Sequence, residues 1–251
     1  MNRERRHLIA KVVAENGSIK NEEIIERFGV SIETVRRDLD YLEKQGVIER
    51  VYGGAVRKNY HQTEPAYALR ESKNSAEKRA IARACEELIG TNDTVFFDLG
   101  TTVLALANVL DANKKITAFT NALRTALVLT DKCASVIVSG GKVRPTELAV
   151  SGALALENMA EFNVDKAIIG AAGVNEDGIS DFFEDEARIR RAVIDNAREV
   201  IVLCDSSKFN QRAMCKVCAL DKITTLITDA NAPERMIKAI KKAGVNVIIA
   251  K

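Results

Sequence analysis

At 251 residues, with 47% hydrophobic and 29% charged side chains, the chain has the balance of an ordinary globular protein of one large domain or two smaller ones. That balance excludes extended disorder and fibrous repeats, and no apolar run approaches the roughly 18 residues of a membrane span. Net charge is only +2, but it is uneven: residues 1–58 hold 12 Lys+Arg against 10 Asp+Glu, and the rest hold 25 of each. The start, Met1-Asn2-Arg3-Glu4-Arg5-Arg6, is followed by no long apolar core, so a secretory signal is not expected and a cytoplasmic location is. The five cysteines then read as free thiols. The only histidines are His7 and His61, which leaves no histidine catalysis or His-rich zinc site in the later three quarters.

Three short helical patterns open the chain. Leu8, Ile9, Val12 and Val13 recur at helical spacing. Asn21 is a candidate cap for a second helix carrying Ile24, Ile25 and Phe28, closed by Gly29. Ser31 is placed to cap a third, with Glu33 in its first turn and Ile32, Val35, Leu39 and Leu42 on one side. It stops near Gly46. Val47–Val51, the Gly53-Gly54 pair and Ala55-Val56 then read as a hairpin.

On a helical wheel, Glu33 and Arg37 lie opposite the apolar seam of the third helix, with Thr34 and Arg36 on its flanks. Such a face suits the major groove, where arginine reads guanine O6 and N7 and threonine meets a thymine methyl or a phosphate. A charged helix face is also what any solvated surface looks like. The preceding Phe28-Gly29-Val30-Ser31 turn favours the groove, because it sets two helices at the steep angle of a helix-turn-helix. Arg50, Tyr52 and Arg57 on the hairpin are candidates for phosphates, and Gly53 and Gly54 allow close approach.

The run Ser31-Ile32-Glu33-Thr34-Val35-Arg36-Arg37-Asp38-Leu39, the later Leu42-x-x-x-Gly46, and Val51-Tyr52-Gly53-Gly54-Ala55 together resemble the winged-helix signature of the DeoR family of bacterial transcription repressors. Tyr52 departs from the histidine common there, though a phenol still donates to phosphate. The resemblance implies operator DNA as a partner, with Ser31, Glu33, Thr34, Arg36, Arg37, Arg50, Tyr52, Gly53, Gly54 and Arg57 at the interface.

Residues 57–75 lack strong periodicity and read as a partly ordered linker. From Ser75 onward, helical patterns alternate with apolar strands at Val95–Asp98, Ile116–Phe119, Ser135–Ser139, Lys166–Gly170, Glu199–Cys204, Leu226–Thr228 and Val245–Ala250. This alternation predicts an α/β domain with a mostly parallel sheet covered on both faces. The expected organisation is a winged helix-turn-helix over 1–57, a linker over 58–75 and an α/β sensor and oligomerisation domain over 76–251.

Ligands of such sheets bind beyond the carboxyl ends of the strands. The loops there are polar: Asp98-Leu99-Gly100-Thr101-Thr102, Thr120-Asn121, Ser139-Gly140-Gly141 with Lys142 and Arg144 behind it, Gly170-Ala171-Ala172-Gly173, and Asp205-Ser206-Ser207-Lys208. Each alone is ordinary turn chemistry. Together they offer hydroxyls, amides and a cation to a small anion. Neither a Walker loop nor a dinucleotide-binding Gly-x-Gly-x-x-Gly occurs.

In order and spacing these loops resemble the DeoR effector domain, over residues 76–230. That resemblance implies a fold similar to ribose-5-phosphate isomerase and a phosphorylated sugar or polyol as effector. The expected effector residues are Asp98, Gly100, Thr101, Thr102, Thr120, Asn121, Ser139, Gly140, Gly141, Lys142, Gly170, Glu186 and Lys208, with Lys208 on the phosphate and Asp98 on a sugar hydroxyl. Glu186, in Glu184-Asp185-Glu186-Ala187-Arg188, reads equally as a plain acid in the first turn of a helix.

The alternative is a sugar-phosphate isomerase, which needs a carboxylate base and phosphate-holding lysines. Gly170-Ala171-Ala172-Gly173-Val174-Asn175 stands where those enzymes carry an acidic run, so the expectation is a regulator rather than an enzyme. No cofactor or metal is expected. Cys215-Lys216-Val217-Cys218 is a lone Cys-x-x-Cys, poor as a zinc site and conceivable as a redox pair, while Cys85, Cys133 and Cys204 read as small core residues. A winged helix covers few base pairs, so a homodimer or homotetramer is expected on the operator.

Overall fold

The computed structural model describes residues 2–16, 18–45, 47–51, 53–57 and 64–251. Backbone contacts divide the chain into two compact units, Met1–Tyr60 and His61–Lys251.

The first unit runs α1 (Asn2–Asn16), β1 (Ser18–Lys20), α2 (Asn21–Phe28), α3 (Ile32–Lys44), β2 (Ile48–Val51) and β3 (Gly54–Arg57). Ile9 and Val13 from α1, Ile24 from α2, and Val35, Leu39 and Leu42 from α3 close a core with Ile19, Ile48 and Ala55. Two expected seam residues stay outside it: Leu8 sits one residue off the Ile9–Val13 stripe of α1, and Ile32 is exposed as the first residue of α3. Asn21 is not a cap but the first residue of α2. The N-cap is Lys20, whose backbone N–H donates to the Glu23 carboxylate at 3.0 Å. Gly29 ends α2 in the left-handed conformation, φ 61°, with its N–H on the Ile25 carbonyl.

The hairpin β2–β3 gains a third strand that sequence reasoning missed. Antiparallel β1 pairs with β3 across Lys20 and Gly54. At Gly54 a Cβ would lie 2.2 Å from the Ile19 carbonyl oxygen. This glycine is therefore there to admit β1. Gly53, at φ 85° with open space around it, makes the exposed turn.

The second unit begins inside the expected linker with α4 (Tyr67–Ser72), followed by α5 (Ser75–Glu86), β4 (Thr94–Phe97), α6 (Thr101–Val109), β5 (Thr117–Thr120), α7 (Leu123–Leu129), β6 (Ser135–Val138), β7 (Lys142–Arg144), β8 (Ala149–Ser151) and α8 (Ala153–Ala160). It continues with β9 (Val164–Gly170), β10 (Gly173–Asn175), β11 (Gly178–Asp181), α9 (Glu184–Asp195), β12 (Ala197–Leu203), β13 (Cys215–Cys218), β14 (Thr225–Asp229), α10 (Glu234–Lys242) and β15 (Asn246–Ala250). Each of the seven expected strands forms within two residues of its expected bounds.

Those seven build one sheet in the order β15-β14-β12-β9-β4-β5-β6, with every pairing parallel. Its strands alternate between two cores. Val95, Phe97 and Ile168 face Ile81, Cys85, Val103 and Leu106 of α5 and α6. Phe96, Ala167 and Ile169 face Met159, Ile189, Val193, Met236 and Ile240 of α8, α9 and α10. The chain moves outward from β4 through β5 to β6, then returns to β9 and moves outward the other way. The boundary between β4 and β9 is thus the topological switch point, where a crevice opens beyond the strand ends.

Two small antiparallel sheets complete the unit, β7–β8 and β10-β11-β13. Cys215 and Cys218 lie three residues apart on β13, on opposite faces and roughly 10 Å apart by strand rise. A disulfide between them is out of reach without rebuilding the strand. Cys85 and Cys204 are buried and Cys133 half-buried; burial pushes all three thiols up, Cys133 to about 11.

Candidate functional site: a basic helix face and an anion cavity

On α3 the Ser31 hydroxyl accepts from the Thr34 N–H at 3.4 Å and lies 3.1 Å from the Thr34 hydroxyl, so the two residues cap the helix together. Glu33, Arg36 and Arg37 are exposed. Arg50 is exposed but paired with Asp40, while its backbone N–H donates to Glu43 at 2.9 Å, which ties β2 to α3. Tyr52 lies outside the described residues, as does the side chain of Arg57. Of the two expected glycines, Gly53 alone is at the surface; Gly54 is buried against β1.

Sequence reasoning missed what orients this helix. Asp38, on the inner side of α3, is buried and accepts from Arg5 and Arg6 of α1, each at 2.6 Å. Arg6 also lies 4.0 Å over the Tyr41 ring. The clamp fixes α3 against α1 and leaves the Arg36–Arg37 edge to solvent.

In the second unit a cavity of about 310 Å³ opens at the switch point. Its floor comes from the loops after β4, β9 and β12: Gly100, Thr101 and Thr102, then Gly170 to Ala172, then Asp205, Ser207 and Lys208. Gly100 is at φ 120° with nothing within 4 Å of a built Cβ, so only glycine suits the turn that starts α6. Gly170 is needed for another reason: a Cβ there would lie 3.2 Å from the Leu99 carbonyl oxygen.

Five of the expected effector residues thus line the cavity: Gly100, Thr101, Thr102, Gly170 and Lys208. The others do not. Asp98 is fully buried below it, where its Oδ2 accepts from Arg190 at 2.6 Å and from the Gly170 N–H at 3.0 Å. It holds the floor together and does not line the cavity.

Glu186 is buried beside Arg144 at 2.6 Å, off the cavity wall, and burial raises its carboxyl to about 7. Thr120 and Asn121 follow β5, and Ser139, Gly140, Gly141 and Lys142 follow β6, on the side of β4 away from the switch point. Three of them have structural contacts. The Thr120 hydroxyl accepts from the Ala122 N–H at 3.0 Å, and the Ser139 carbonyl accepts from the Asn158 amide at 2.7 Å. A Cβ on Gly141 would lie 2.7 Å from the Ser151 carbonyl oxygen.

Several cavity residues were not foreseen. Arg190 pairs with both Asp98 and Asp181. It was legible as a charge on the apolar face of α9, in step with Glu186, Ala187, Val193 and Ile194. Glu64, Arg70 and Lys73 come from the segment read as linker, and Lys78 from α5. Burial lowers the Lys208 and Lys78 ammonium groups, against the opposing pull of Asp205. Asp205 itself stays below the usual carboxylate range despite burial, because the Ser207 hydroxyl and the Asn74 amide donate to it. Among the described residues no carboxylate lies within ion-pair distance of the Lys208 or Lys78 amine.

Comparison with known proteins agrees with this geometry. Residues 5–60 match the model of the DeoR-like helix-turn-helix domain, and residues 73–230 match that of the DeoR C terminal sensor domain. The chain belongs to the DeoR family of transcriptional regulators.

It is 33% identical over 239 residues to the glycerol-3-phosphate regulon repressor of Escherichia coli K12, which covers 94% of each chain. It is 34% identical over 247 residues to the transcriptional repressor GlcR of Bacillus subtilis, covering 98% of this chain and 95% of the relative. The regulator GlpR of Haloferax volcanii is 32% identical over 246 residues, 98% of this chain and 96% of its own. Among solved structures, ribose 5-phosphate isomerase A from Methanocaldococcus jannaschii aligns at a TM-score of 0.41 and 18% identity over 55% of each chain.

Proposed function

We propose that this DeoR-family protein is a cytoplasmic repressor of sugar or polyol catabolism genes, binding its operator as a homodimer or homotetramer and responding to a phosphorylated sugar or polyol. One observation carries the effector reading. At the switch point, the Gly100-Thr101-Thr102 helix start and the Lys208 ammonium line one small cavity, and Lys208 has no carboxylate partner among the described residues. A helix N-terminus, hydroxyls and a cation without a counter-ion are what a phosphate monoester needs. The cavity volume is at the lower end for small-molecule sites, which suits a ligand of sugar size.

The same cavity argues against isomerase chemistry. Its carboxylates are committed: Asp181 to Arg190, Asp205 to Asn74 and Ser207, Glu64 to Arg70 and Arg144. Among the described residues that line it, none is left as a base for moving a proton between sugar carbons.

A thermal-shift screen of the full chain against phosphorylated sugars, polyol phosphates and amino-sugar phosphates tests the reading. Stabilisation by one phosphate ester and not by its dephosphorylated form is expected, with the same compound changing operator affinity in a gel shift. Turnover of a sugar phosphate between aldose and ketose by the purified chain would overturn it.

A further inference from the structure

The wall of the cavity that faces the floor is made by the segment Glu64–Lys73, and the donors that hold this segment are donors of the cavity itself. Thr101, at the start of α6, gives its hydroxyl to the Arg70 carbonyl at 3.4 Å. Lys78 is buried and gives its ammonium to the same Arg70 carbonyl and to the Lys73 carbonyl, the latter at 2.7 Å. Arg70 is in the last turn of α4 and Lys73 is its C-cap residue, so the lysine acts as a C-terminal cap. The Arg70 guanidinium, also on the cavity wall, bridges Glu64 and Glu147.

We propose that the segment Glu64–Lys73 is a strap that competes with the ligand for the cavity's donors: an anionic ligand displaces it by recruiting the Thr101, Lys78 and Arg70 donors that hold it. The proposal rests on the reading of the cavity as a phosphate-ester site. A phosphate at the Gly100–Thr102 turn meets the Thr101 hydroxyl and, sharing its acceptor, the Lys78 ammonium. Hydrogen bonds to an ionised acceptor are roughly twice as strong as those to a neutral carbonyl, so the phosphate takes both. Arg70 turned to the ligand leaves Glu147 short of a cation, while Glu64 keeps Arg144.

What then remains is the Glu64–Arg144 pair at 2.9 Å and, outside the cavity, the stack of the Tyr67 ring beneath the Arg124 guanidinium at 4.3 Å.

Competition is reciprocal: whatever loosens the strap must strengthen anion binding. Tyr67→Ala is the discriminating variant, since Tyr67 does not line the cavity and its removal changes no charge. The full chain, wild type and variant, is titrated with inorganic phosphate and with glycerol 3-phosphate by calorimetry, and amide exchange is followed over residues 66–73. Without ligand, the variant is expected to exchange faster there. Its affinity for both probes should be roughly three- to tenfold tighter, the worth of a partly exposed cation–π interaction. Saturating phosphate should speed exchange of the same amides in the wild type, a measurement that stands even if the variant folds poorly.

Unchanged or weaker phosphate binding by Tyr67→Ala overturns the proposal. So does slower exchange in the liganded wild type, which would make the strap a wall that closes on the ligand. Binding without any response over 66–73 sinks the strap alone. If neither probe binds either protein, the effector reading falls with it.

Discussion

Arg190 donates through Nε to Asp98 Oδ2 at 2.6 Å and through Nη1 to Asp181; all three side chains are buried, with Arg190 and Asp181 on the cavity lining and Asp98 below it. One cation from α9 thus ties the end of β4 to the end of β11. Because Asp98 also receives the Gly170 N–H, the loops after β4 and β9 are held to each other at the switch point. Replacing Arg190 by leucine leaves two buried carboxylates without their cation, a destabilisation of about 3–5 kcal/mol. Urea unfolding should show a fall of that order. A fall below about 1 kcal/mol would mean that the cluster does not hold the floor.

Lys208→Ala tests the floor's cation. The residue has no ion-pair partner among the described residues, so its removal should cost little stability. A charge-assisted hydrogen bond to phosphate is worth about 1.5–3 kcal/mol, so affinity for the stabilising phosphate ester should drop roughly ten- to a hundredfold. Operator binding without ligand should be retained, giving a repressor that no longer responds. A variant that responds at the wild-type concentration removes Lys208 from the site, and abolished operator binding makes its role structural.

The strands were legible because parallel strands buried on both faces read as short apolar runs, and the α3 face was legible because 3.6-residue periodicity separates Val35, Leu39 and Leu42 from Arg36 and Arg37. Which strand-end loops meet was not legible. Chain order gives β4, β5 and β6 in succession but does not say that β9 inserts beside β4. Thr120-Asn121 and Ser139-Gly140-Gly141 therefore looked equivalent to Gly100-Thr101-Thr102, and the sheet order separates them. Arg70 and Lys78 were hidden for a further reason: each acts through partners that no sequence periodicity marks, Glu147 for Arg70 and the carbonyls at the end of α4 for Lys78. β1 was missed because three residues, Ser18–Lys20, are too few to show alternation.

Glu186 makes stability depend on pH in an unusual direction. Burial raises its carboxyl from 4.5 to about 7; Arg190 and Arg144 pull it down and Asp181 pushes it up. Between those values the folded chain keeps a proton that the unfolded chain has released. The proton's contribution is complete below about pH 4.5 and is lost as pH rises through about 7, a decline on the order of 3 kcal/mol. Glu186→Gln, neutral throughout, should flatten this part of the profile in urea unfolding between about pH 5 and 8. A variant whose slope matches the wild type would assign the proton to another group.

On the DNA side, Arg37 and Arg36 should separate by experiment. Both are exposed on α3, whose inner side is fixed by the clamp of Arg5 and Arg6 on Asp38, so truncating either should open no cavity and leave the melting temperature nearly unchanged. Arg37 lies opposite the apolar seam, the position proposed to enter the groove. Removing a bidentate pair of hydrogen bonds to a base costs about 1–3 kcal/mol per half-site, doubled on a symmetric operator, so Arg37→Ala should abolish specific binding. Arg36 on the flank is placed for a phosphate, and Arg36→Ala should weaken binding to all sequences alike. It should also reduce the slope of log affinity against log salt by about 0.9 for each phosphate that is no longer neutralised. Gel shifts on specific and scrambled duplexes across a salt series read both effects. Operator affinity unchanged in Arg37→Ala would take this face of α3 out of the groove, and an unchanged salt slope in Arg36→Ala would take Arg36 off the phosphate backbone.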